Sequence, residues 1–279
     1  MTTVYGAYTR DALEAQYDTS QPIVDGDVPT YLARFARDAE RARAAYAHEA
    51  DLRYGPHPRE TIDYFPARVP GAPLFVWIHG GYWRRLSKNE ASFVAPPIVD
   101  AGGAVAIINY PLAPEASLDT IVASVHRAFT FARALAGERG VDLQRTFVGG
   151  HSVGAQLAAT VAHAFAISGL VTLSGIYDLE PLLHTSINDA IAMDLATAKR
   201  HSPIALPPKA AVALVASAGG REQHEWHRQQ RGFVAAWRGW GGDAREIASP
   251  DDDHFSIVLE LGRASSPLAR ATRELMGLS

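Results

Sequence analysis

The sequence of 279 residues is 47% hydrophobic and sets 26 basic against 30 acidic side chains, a net charge of −4. A chain of that length can bury one large core, and its even charge, with no basic block, argues against nucleic acid or an anionic membrane as a partner. Cysteine is absent, which excludes disulfides, a thiol nucleophile and thiolate metal sites together.

The first residues, MTTVYGAYTRDALEAQY, hold neither a basic leader nor an apolar run. No stretch reaches the ~18 apolar residues of a membrane span, so a soluble, unexported, cytoplasmic protein is expected. Residues 1–60 read as a helical segment in which Tyr31, Phe35 and Ala39 fall at helical spacing with charges between them. This predicts one long helix packed across the domain, its outer face solvated. Thr61 to Phe65 reads as a strand, and Leu74 to Ile78 is a continuous apolar run of the kind buried on both faces of a sheet. Lys88 to Ala101 predicts a helix interrupted at Pro96 and Pro97, followed by a buried strand from Ala104 to Asn109. Ser117 to Ala136 is amphipathic, with Gly137 as its expected cap.

Arg145 to Gly149 predicts a strand and Ala155 to Ala166 a helix, with Gly-His-Ser-Val-Gly between them. A further strand is expected from Leu170 to Leu173. Residues 179–208 then lose their period and read as an insertion above the sheet, with a helical piece near 187–199. Ala211 to Ala216 predicts another strand, Gln223 to Trp240 a helix and Ala244 to Ala248 a last short strand, and residues 255–276 close the fold. Such alternation predicts a single α/β domain over 1–279, with a mostly parallel central sheet and helices on both faces. Its site should lie at the carboxyl ends of the strands.

Ser152, between strand and helix in a Gly-x-Ser-x-Gly turn, sits where a nucleophile elbow requires its serine. A serine hydroxyl needs an imidazole to take its proton, and the imidazole needs an acid to fix its tautomer. His254, after the last strand, is the best base. Glu222, after the Ala211–Ala216 strand, and Asp178, one strand earlier, both remain candidates for the acid. Asp251, Asp252 and Asp253 read as a solvated turn. The HGGYW turn at 79–83 is similar to the glycine turns that give N–H donors to an oxyanion. The expected donors are Gly81 and Tyr82, with Val153 after the serine. His79 is expected to be structural, and Tyr82, Trp83 and Tyr177 are candidates for the wall of a substrate pocket.

HGGYW, YPLAPE, GGHSVGA, SGIYDLEPL, the EWHRQQ of 225–230 and the DHF of 253–255 together resemble the α/β-hydrolase arylformamidases, or kynurenine formamidases. The likeness covers nearly the whole chain. It implies the α/β-hydrolase fold with a small insertion after strand 6, and no cofactor or metal. Residue by residue, the family's nucleophile falls on Ser152, its base on His254 and its acid, usually an aspartate, on Glu222. The implied substrate is a small molecule, an N-formyl aryl amide such as N-formylkynurenine. A carboxylesterase with the same residues is the alternative, a non-catalytic ligand-binding protein of this fold a remote one, and a homodimer stays open.

Overall fold

A computed structural model describes residues 2–279. Its centre is one eight-stranded sheet in the order β1-β2-β4-β3-β5-β6-β7-β8. The strands are β1 (Glu49–Arg53), β2 (Thr61–Phe65), β3 (Leu74–Ile78), β4 (Ala104–Ile108), β5 (Thr146–His151), β6 (Gly169–Leu173), β7 (Ala213–Ser217) and β8 (Ala244–Glu246). β2 runs antiparallel to β1 and β4, and every other neighbouring pair is parallel. The mostly parallel sheet expected from the alternation is therefore present.

The helices are α1 (Arg10–Tyr17), α2 (Val28–Ala45), α3 (Pro96–Asp100), α4 (Leu118–Glu138), α5 (Val153–Ala164), α6 (Asn188–Ile191), α7 (Leu195–Arg200), α8 (His224–Gly239), α9 (Ser256–Leu261) and α10 (Pro267–Leu275). Because successive strand residues point to opposite faces, β3 feeds two cores at once. Leu74, Val76 and Ile78 pack into the core that also holds Phe129 of α4, Leu157 of α5 and Trp226 of α8. Phe75 and Trp77 pack into the other, with Phe35 of α2, Leu261 of α9 and Leu268 of α10. Full burial of each such side chain stabilises the fold by roughly 1.5–3 kcal/mol.

Several elements differ from expectation. The single amino-terminal helix is two. α1 starts on Thr9, whose hydroxyl accepts from Ala12 N, and α2 starts on Asp27, which accepts from Thr30 N. The intervening loop carries Pro22 and Gly26, residues that punctuate a helix. Residues 49–53 leave the helix altogether to form the edge strand β1; Ala50 and Leu52 alternate there with charged residues, but five residues with no fully buried side chain do not stand out from the charged helix before them. Pro96 and Pro97 begin α3 rather than interrupting a helix, since the first turn has no use for their missing N–H groups. α4 runs through Gly137, and Gly140 takes the left-handed conformation beyond it, at φ 79°. The insertion does follow β6, but as short pieces, among them α6 and α7.

Candidate active site

The Gly-x-Ser-x-Gly turn joins β5 to α5, and its serine has a backbone conformation of φ 57°, ψ −126°. A side chain rarely tolerates that region, at a cost of order 1–3 kcal/mol, so the surroundings must impose it. The imposing contacts are close. A Cβ on Gly150 would lie 2.1 Å from the carbonyl oxygen of Gly154, and one on Gly154 would lie 2.2 Å from that of Ile78. The Ser152 N–H donates to Leu173 O at 2.8 Å, tying the turn to the end of β6. The serine side chain makes no cap bond to α5, which leaves its Oγ available to a base.

The loop after β7 carries Glu222 inward until its side chain is 1% exposed. Its Oε1 meets His254 Nδ1 at 2.5 Å. Its Oε2 accepts from Ser174 Oγ at 2.6 Å and from Gly219 N at 2.7 Å. A carboxylate only accepts, so in the neutral ring Nδ1 carries the proton and Nε2 presents its lone pair. The His254 ring lies between Trp226, at 4.3 Å between centroids, and His151, at 4.7 Å. His151 Nε2 donates to the His254 carbonyl at 2.7 Å. Burial, reinforced by the nearby His254, holds the His151 ring well below the usual imidazole range. Ser152 and His254 face one cavity of about 570 Å³, although the ring's hydrogen bond is to Glu222 and not to the serine.

Asp178 lies elsewhere. Its Oδ2 accepts from the Tyr5 hydroxyl at 2.8 Å and faces the Arg228 guanidinium at 3.4 Å. Of the two candidate acids, the structure brings Glu222 to His254.

The HGGYW turn leans on the elbow. A Cβ on Gly80 would come within 2.9 Å of His151 O and 3.1 Å of Ser152 Cβ, so glycine is what permits the approach. Gly81, Tyr82 and Trp83 all take positive φ, at 107°, 50° and 56°. Arg84 N and Arg85 N close the turn onto Gly81 O, each at 3.0 Å. The N–H groups of Gly81 and Tyr82 are not used in backbone pairing, and that of Val153, the first residue of α5, belongs to the unpaired helix start. His79 Nδ1 lies 2.8 Å from Gly80 O and Nε2 3.2 Å from Asn109 Oδ1, so the neutral ring donates its one N–H to one of these two oxygens, and the ring stacks on Tyr110. Burial pushes its pKa down to about 4.

Tyr82 lines the cavity and donates its hydroxyl to Tyr17 O at 2.6 Å. Trp83 and Tyr177 do not line it, contrary to expectation. Both are fully buried in the core: Trp83 donates Nε1–H to Gln156 Oε1 at 3.2 Å, and Tyr177 stacks on Phe233 at 4.0 Å. An aromatic ring beside a site residue in sequence is as well placed to anchor the loop as to face the ligand, and these two anchor. The insertion reaches the cavity only through Ser186 and Ile187.

Sequence reasoning missed the main wall. α1 and α2 supply Glu14, Tyr17, Val28, Leu32 and Phe35 to it. It also misread Asp253, which is fully buried and not part of a solvated turn. Its carboxylate accepts from Val24 N at 2.6 Å, Tyr31 Oη at 3.1 Å, and Phe255 N and Ser256 N at 2.7 Å each. Among the described residues no three His, Asp or Glu side chains converge as metal ligands, and no helix is long and apolar enough to cross a membrane.

A family model described as alpha/beta hydrolase fold matches residues 75–229, more than half of the chain. The chain is 29% identical to a kynurenine formamidase of Danio rerio over 97% of its own length and 98% of that protein's. It is 25% identical to an esterase, LipQ, of Mycobacterium tuberculosis, over 83% of this chain and 62% of that one. Among solved structures, a Silicibacter protein provisionally named a thioesterase superimposes with a TM-score of 0.82 at 29% identity, covering 92% of this chain and 97% of that one.

Proposed function

Since this chain belongs to the alpha/beta hydrolase fold family and is an enzyme of amidase or esterase type, we propose that it hydrolyses N-formyl aryl amides, N-formylkynurenine above all. Ser152, His254 and Glu222 are the proposed catalytic residues. The observation that carries the reading is the buried Glu222–His254 bond at 2.5 Å, opening on the same cavity as the strained serine. The similarity to kynurenine formamidases along nearly the full length supplies the substrate class.

His254 Nε2 takes the Ser152 proton as Oγ attacks the formyl carbon. The carbonyl oxygen, now an anion, receives the N–H groups of Gly81, Tyr82 and Val153. Each such donor is worth about 10²–10³ in rate. The C–N bond then breaks, and His254 returns the proton to the departing aniline nitrogen. Water, deprotonated by the same imidazole, attacks the formyl ester and releases formate and free Ser152. Glu222 holds Nδ1–H throughout, and its other oxygen is fixed by Ser174 and Gly219.

The test is hydrolysis of N-formylkynurenine against phenyl acetate, with fluorophosphonate labelling of Ser152. Preferred release of kynurenine and formate supports the formamidase. Preferred ester turnover supports the second reading, a carboxylesterase, which the likeness to LipQ favours. A serine that never labels would leave a binding protein.

A further inference from the structure

His151 ends β5 and immediately precedes Ser152, yet its side chain has no part in the proposed proton transfers. It is 7% exposed and lines the cavity beside Ser152 and His254. Its Nε2–H donates to the His254 carbonyl at 2.7 Å, and no backbone N–H among the described residues bonds to that carbonyl. A buried carbonyl needs a partner, so the loop that carries the base is pinned here to the strand that carries the serine. β5 is a firm anchor, paired on one side with β3 and on the other with β6. The His254 ring is held separately, by Glu222 on Nδ1 and by the Trp226 ring at 4.3 Å. Those contacts fix the tilt and tautomer of the imidazole, but not how far the main chain of His254 stands from the elbow. His151 is not a second base. It has no carboxylate partner to balance an imidazolium, and burial keeps its ring neutral. A neutral neighbour is also what His254 requires, because it becomes positive with the His151 ring 4.7 Å away.

We propose that His151 is a positioning residue, which sets the separation of Ser152 and His254 by bonding the residue before the nucleophile to the main chain of the base. The inference rests on Ser152 as nucleophile and His254 as base, whatever acyl compound they act on.

Two variants separate the donated bond from the bulk of the ring. His151→Leu removes the donor, whereas His151→Gln carries an amide N–H to nearly the place of Nε2. Misplacing reacting groups by about 1 Å costs on the order of 10²-fold. In folded His151→Leu, kcat should therefore fall about ten- to a hundredfold, and the rate of fluorophosphonate labelling of Ser152 should fall with it. His151→Gln should regain most of both losses. Melting curves check that each variant is folded. A folded His151→Leu within about twofold of the wild type in kcat and labelling overturns the proposal. A His151→Gln as impaired as His151→Leu overturns it too, because the ring and not its hydrogen bond then matters. Lost turnover with unchanged labelling also overturns it, since that assigns His151 to the wall around the leaving group. Turnover of phenyl acetate alone ends the formamide reading and leaves this comparison intact. A wild type that neither labels nor hydrolyses either compound removes Ser152 as nucleophile, and amide exchange across residues 252–258 then decides. Exchange quickened in His151→Leu and restored in His151→Gln supports the positioning bond, and exchange unchanged in His151→Leu overturns it.

Discussion

Glu222 is held at three points, by His254, Ser174 and Gly219, and is almost wholly shielded from water. A carboxylate so fixed can orient an imidazole without moving. Replacing it with an amide leaves the shape but puts an N–H where only acceptors fit, and selects the wrong tautomer of His254. Glu222→Gln should therefore lower kcat by up to ~10⁴-fold in a folded protein. Asp178, paired with Arg228 and Tyr5, should behave differently: Asp178→Asn is expected to shift stability or KM and keep most of kcat. Steady-state kinetics with a melting curve for each variant separates the two, and the reverse pattern would move the acid to the earlier strand. Chain order and strand-end placement pointed to Glu222 in the sequence, but left Asp178 open. Only the fold could decide, because both residues follow parallel strands and their side-chain directions depend on loops that carry no periodic signal.

At the scale of elements, the amino-terminal helices are bound to the very loops that hold the proposed catalytic residues. Asp253, one residue before His254, accepts from Val24 N and Tyr31 Oη. Gln223, one residue after Glu222, donates to Asp18 O at 2.5 Å and to Gln21 O. Tyr82 Oη donates to Tyr17 O. The segment between α1 and α2 is thus latched at three positions around the cavity. In Asp253→Asn, whichever way the amide turns, an N–H group faces either Val24 N–H or the N–H groups of Phe255 and Ser256. Amide exchange across residues 18–27 should quicken and KM should rise, with the central strands still protected. Unchanged exchange in that segment would show that the latch does not depend on Asp253. Tyr31 and Phe35 were legible in the sequence as an apolar stripe, and the strands β3, β4 and β5 as apolar runs. The cavity wall was not, because an amphipathic helix announces that one face is buried without saying against what. The edge strand β1 escaped for the complementary reason: its two apolar residues, Ala50 and Leu52, are too few beside the charged helix to mark it, and only Leu52 of them packs against the core.

Across the whole molecule, two buried imidazoles tie stability to acid. His79 has its pKa lowered from 6.5 to about 4 by burial, and His151 is held well below 6.5 by burial and by His254. Both rings are neutral in the folded state at pH values where the unfolded chain would protonate them. Between about pH 6.5 and 4 the unfolded state binds more protons, so stability should fall as pH falls through this window. Urea unfolding at a series of pH values checks it. A free energy of unfolding that is flat from neutral pH down to about pH 4.5 would contradict it. The parallel sheet, the elbow after β5 and the order of serine, acid and histidine along the chain bring these scales together at one cavity, and the proposed reaction depends on all of them. Its most direct test is product analysis of N-formylkynurenine with the wild-type protein and with folded Ser152→Ala. The wild type should give equimolar kynurenine and formate, and the variant should lose kcat by more than about 10³-fold. Contradiction would come from a wild type that leaves N-formylkynurenine intact, or from a variant that keeps more than about a tenth of the wild-type kcat.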